Sequence, residues 1–152
     1  MFLITLLLFI FFQDVKSRGV YWFLFPILMA IAFASSWQSL TADWLLNIGF
    51  LILMMAMLTL YVSLKEKKAI NITKGYFSWG DILFLLAVTP LFSLHAYILF
   101  FTAGTILSLL IHLVVMFFRK QETIPYAGYM SLVLVPLLIF ETQVSDYLML
   151  YV

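Results

Sequence analysis

The chain contains no cysteine. Disulfides, thiolate catalysis and cysteine-held metals are therefore excluded. Histidine is nearly as scarce, with 2 residues, His95 and His112, on separate apolar segments. A metal enzyme is not expected, and no cofactor is implied. Charge is sparse as well, at 10% of residues, with a net charge of +1. That balance gives a nucleic-acid partner no electrostatic support.

What the chain has instead is apolar surface. Of its 152 residues, 66% are hydrophobic and 18% are aromatic, and the mean hydropathy is +1.16. A soluble domain is only about half apolar. The composition therefore predicts an integral membrane protein, with the lipid bilayer as its solvent and aromatic side chains at the interfaces.

Apolar runs fall at residues 1–12, 20–36, 44–64, 81–95, 96–118 and 124–140, which predicts an all-α, polytopic membrane protein with six transmembrane helices. The first run lacks the basic start and small-residue cleavage site of a signal peptide, so it is read as a retained helix. Its length gives only ~18 Å of helix against a hydrocarbon core of ~30 Å. Asp14, just beyond it, is thereby expected somewhat inside the membrane boundary. Residues 13–19 read as the first polar loop and 65–80 as the longest. Pro26, Pro90, Pro125 and Pro136 are expected at kinks or helix starts. Trp37 and Trp44 read as interface anchors. The segment after residue 140 either lies on the surface or extends the last helix. No internal repeat or low-complexity linker is visible, so residues 1–152 are expected to form a single transmembrane domain.

The basic residues orient this layout. Lys16, Arg18, Lys65, Lys67, Lys68, Lys74, Arg119 and Lys120 all lie in loops that follow odd-numbered spans. The positive-inside rule makes those loops cytoplasmic and puts both termini outside. Asp14 and Asp81 then share the cytoplasmic face of a cell inner membrane.

A carboxylate at a membrane boundary is costly and usually functional. Two carboxylates brought together cannot both ionise cheaply, so such a pair shares a proton. The ionised partner takes a proton from attacking water, and the protonated partner donates to the oxyanion or leaving nitrogen. Each aspartate also has a plainer reading. Asp14 can pair with Lys16 or Arg18, and Asp81 can be a helix N-cap or first-turn acid. Gly104, Ser108 and His112 fall four apart on one face, which predicts close helix packing with His112 bonded across helices rather than a proton relay. His95 reads as an exposed turn residue. Residues 65–68 read as a solvated basic segment drawn to anionic lipid. Glu66 and Glu122 have two readings, as acids that help hold a cationic peptide or, more simply, as partners of Lys68 or Arg119.

Three segments resemble a known family. Asp14-Val15-Lys16-Ser17-Arg18-Gly19-Val20 resembles the first aspartate motif of the type IV prepilin peptidases. Ser78-Trp79-Gly80-Asp81 resembles their G-x-G-D motif. Ile124-Pro125-Tyr126-Ala127-Gly128-Tyr129 resembles the Ile-Pro-Phe-Gly-Pro-Phe segment that opens a late helix. The segments keep the family's order and span nearly the whole chain. Tyr21 stands where the family usually has proline, Ser78 replaces the first motif glycine, and Leu83 replaces a frequent lysine. The Gly-Pro order at Ala127-Gly128 is also lost. The chain thus resembles a divergent, compact, peptidase-only member, without the cysteine-containing cytoplasmic insertion or methylation region. The resemblance implies an aspartic endopeptidase that removes the basic leader from pilin-like precursors. It implies Asp14 and Asp81 as the catalytic pair and Gly80 as a point of close approach. The alternative is a non-catalytic assembly subunit of a pilus or secretion system. A small transporter is disfavoured, because His112 is the only ionisable residue well inside a span.

Overall fold

The structure is a computed structural model that describes residues 2–36, 42–67, 78–118 and 124–149, with side chains given to residue 140. Among the described residues it is all-helical, with no strand. The order is α1 Phe2–Ser17, α2 Leu24–Ser35, α3 Asp43–Glu66, α4 Trp79–Ala87, a 3-10 turn Thr89–Leu91, α5 Leu94–Phe118 and α6 Tyr126–Met149. Trp37, Lys68, Lys74, Arg119, Lys120 and Glu122 lie outside the described residues, as do the side chains of Glu141 and Asp146.

Two helices are long and apolar enough to cross a membrane, Asp43–Glu66 and Leu94–Phe117. A core helix of a soluble protein with such a sequence would be mostly buried. Here the most apolar windows of the two helices are only 17% and 28% buried. Ile52, Leu53, Met57, Leu60 and Leu64 of α3 stand exposed, as do Ile106, Leu110 and Val114 of α5. Burying such surface against lipid is worth about 25 cal/mol per Å². These features point to a membrane protein.

Several boundaries differ from the sequence expectation. Helix α1 continues through Gln13-Asp14-Val15-Lys16-Ser17, so this segment is helix and not loop. Polar side chains signal water, but they do not stop an α-helix. The helix ends at Arg18, whose N–H closes on the Asp14 carbonyl at 2.9 Å. Arg18 adopts the left-handed conformation, φ 56°. Pro26 lies in the first turn of α2, where its missing N–H costs little, and does not kink the helix. His95 is exposed but belongs to the first turn of α5. Helix α6 runs on to Met149, so the segment after residue 140 extends the last helix.

The chain forms two compact units, residues 1–20 with 99–152, and residues 21–98. In the first unit α1 packs against α6. Its core holds Leu7 and Ile10 of α1, Phe100 of α5, and Ala127, Tyr129, Met130 and Leu134 of α6.

The second unit is built around a broken helix. Pro90 offers no N–H to the carbonyl four residues back, so α4 stops at Ala87 and the chain passes through a 3-10 turn. The carbonyls near the break find side-chain donors. Asn47, completely buried on α3, donates from Nδ2 to the carbonyls of Thr89 at 2.9 Å and Phe92 at 2.8 Å. Tyr97, also completely buried, donates its hydroxyl to the Leu85 carbonyl at 3.0 Å. Apolar packing around the break comes from Leu24, Phe25 and Leu28 of α2 and Phe84 and Leu85 of α4. Trp44 packs edge-on against Phe33. Tyr21 stacks on Phe23, and Trp22 beside them is 73% exposed. An exposed aromatic group of this kind suits a membrane interface.

Candidate active site

Asp14 occupies the last turn of α1 and is only 7% exposed. Its Oδ2 accepts the Gly128 N–H at 2.7 Å. Gly128 is the third residue of α6, and the first N–H groups of a helix have no partner within it. The carboxylate therefore supplies an acceptor to one of them and lies where the helix dipole favours negative charge. A short, charge-assisted bond of this kind is among the stronger hydrogen bonds a protein makes.

The contact depends on a glycine. A Cβ at Gly128 would lie 3.1 Å from both Cβ and Oδ2 of Asp14 and 3.4 Å from the Phe11 carbonyl oxygen. Helix α1 sits directly on the α6 backbone at this point, and a side chain would push it off. Gly128→Leu is expected to destabilise the protein by about 2 kcal/mol, the usual range for overpacking. Thermal unfolding in mild detergent measures this, and an unchanged midpoint would show that α1 yields without cost.

Asp81 lies in the second unit, as the third residue of α4, and is 8% exposed. Its N–H donates to Ser78 Oγ at 3.2 Å, and its Oδ2 accepts the Ser78 N–H at 3.0 Å. This reciprocal pair is a capping box. The plainer reading of Asp81, a first-turn acid at a helix start, is therefore realised. Ser78 has a definite local job, which accounts for a hydroxyl where a glycine is expected. The sequence carries this signal as Ser-x-x-Asp before an apolar run.

Gly80 is less constrained than its neighbour. A Cβ there would meet Ser78 Oγ at 3.5 Å and the Phe25 ring at 3.7 Å, which are ordinary contacts. Packing within this unit does not demand a glycine at that position.

The Gly104, Ser108 and His112 face of α5 is buried as expected. Gly104 lies against Met130, whose Sδ would be 2.6 Å from an added Cβ. Thr105 Oγ1 and the Tyr126 hydroxyl share a hydrogen bond of 2.9 Å. His112 departs from expectation. Its ring packs against Tyr129, centroids 6.4 Å apart, but among the described residues Nδ1 has no hydrogen-bond partner.

Each unit thus holds one buried carboxylate at a helix start: Asp14 accepts from the third residue of α6, and Asp81 is the third residue of α4. Each accepts a backbone N–H, from Gly128 at Asp14 and from Ser78 at Asp81. No family model matches this chain, and neither does any curated protein or solved structure.

Proposed function

We propose that the protein is a six-span membrane aspartic endopeptidase that resembles the prepilin peptidases, with Asp14 and Asp81 as its catalytic pair. The observation that carries this reading is the bond between Asp14 and Gly128, across 114 positions of sequence. It joins two of the three segments on which the resemblance rests. Gly128 is also a position where the close approach of Asp14 requires a glycine.

In this reading the basic loops face the cytoplasm and the termini lie outside. A pilin-like precursor presents its basic leader in the cytoplasm and its apolar segment in the bilayer. Unwinding near the scissile bond exposes the carbonyl. One carboxylate takes a proton from water, whose oxygen adds to the carbonyl carbon, and the other protonates the departing nitrogen. Because the pair titrates jointly, the two roles are not divided between Asp14 and Asp81.

A second reading has one specific observation in its favour. Both carboxylates already serve as acceptors at helix starts, which is sufficient structural work for a non-catalytic assembly subunit. Co-expression with pilin-like precursors from the same genome separates the two. A peptidase shortens a precursor by the mass of its leader. An assembly subunit binds the precursor and leaves it full length, and that outcome would replace the peptidase reading, provided a known peptidase cuts the same precursors in those membranes.

A further inference from the structure

Helix α5 carries a buried polar seam that the proposed chemistry does not use. Ser108 is 1% exposed and His112 is 5% exposed. Among the described residues, neither Ser108 Oγ nor His112 Nδ1 has a hydrogen-bond partner. Leaving two such groups unsatisfied in an apolar interior is costly. The residues are one helical turn apart on one face, so their side chains start about 5–6 Å from each other. From Cβ atoms at that spacing, two short polar side chains on one face are near enough for one water to bond both.

The surroundings on the other elements of this unit are defined. Gly104 leaves no side chain on the turn before Ser108, and Met130 of α6 covers it. The Tyr129 ring stands against His112. Tyr129 directly follows Gly128, the donor to Asp14. Asp14 and Arg18 of α1 both act electrostatically on Tyr129. Tyr126 is engaged with Thr105, a turn away.

We propose that Ser108 and His112 form a second polar site in this unit, which binds one water molecule between Ser108 Oγ and His112 Nδ1 beside Tyr129. Buried waters of this kind normally satisfy two to four polar groups. The site makes His112 a positioning residue. It keeps a water beside Tyr129, the residue after the Gly128 donor to Asp14, in the unit that holds Asp14. This second half rests on the peptidase reading, and the first half does not.

Two measurements on the full-length protein in lipid vesicles test the halves separately. With His95→Gln as background, ¹⁵N-histidine NMR observes His112 alone. The site predicts a hydrogen-bonded Nδ1 that exchanges magnetisation with water, and a shift of that resonance in Ser108→Ala. A signal without water exchange, or one unchanged in Ser108→Ala, overturns the site. Cleavage of a pilin-like precursor is the second readout. His112→Leu is expected to slow it about tenfold, on the scale of one lost hydrogen bond, and His112→Gln, which keeps a polar atom, to restore most of the rate. Cleavage by His112→Leu at the wild-type rate overturns the positioning role while the water site stands. A wild-type protein that cuts no precursor defeats the peptidase reading, and the NMR result still decides the site.

Discussion

Replacing Asn47 by leucine is expected to destabilise the protein by about 2–4 kcal/mol, the cost of stranding two backbone acceptors. The two side chains are close in volume, so packing on α3 changes little. What is lost is the Nδ2 group that serves the carbonyls of Thr89 and Phe92. Thr89 is completely buried, and its carbonyl gains no access to water. The break at Pro90 would remain, because proline still lacks its N–H, but its ends would be loose. Unfolding in mild detergent measures the effect, and protease sensitivity near residues 88–93 locates it. A melting midpoint equal to wild type would show that the turn is held by apolar packing alone.

The second large effect concerns the carboxylates. Asp14→Asn and Asp81→Asn are each expected to lower cleavage at least ~10³-fold, the scale on which general acid–base groups act. Both variants should still insert and fold. An asparagine carbonyl at position 14 can accept the Gly128 N–H, and one at position 81 can accept the Ser78 N–H, so each helix start keeps its acceptor. Asp14→Leu is different. It removes the acceptor from a buried N–H and places a larger apolar group against Gly128, so folding and cleavage should fail together. The contrast between asparagine and leucine separates chemistry from scaffolding at the same residue.

Much of this was readable from sequence, for identifiable reasons. In a chain with 10% charged residues, two acids beside apolar runs stand out, and both prove to be buried. The end of α1 was not readable. Its last turns carry Gln13, Asp14 and Lys16, which look like a loop when polarity is taken as the signal. The helix continues through them, and of the three it is Asp14 that is buried and bonded to the start of α6. Pro90 marked the interruption between α4 and α5, but nothing marked Asn47. A single amide in a long apolar run gives no hint that its partners lie 42 and 45 positions away. Gly128 was noted within a motif, yet its reason is steric and emerges only with α1 against it.

The most direct test of the paired-carboxylate mechanism is precursor cleavage by purified protein in lipid vesicles, followed by mass. Wild type, Asp14→Asn and Asp81→Asn would be compared at equal insertion. The mechanism predicts leader loss with wild type and full-length precursor with both variants. Leader loss with both single variants would contradict it.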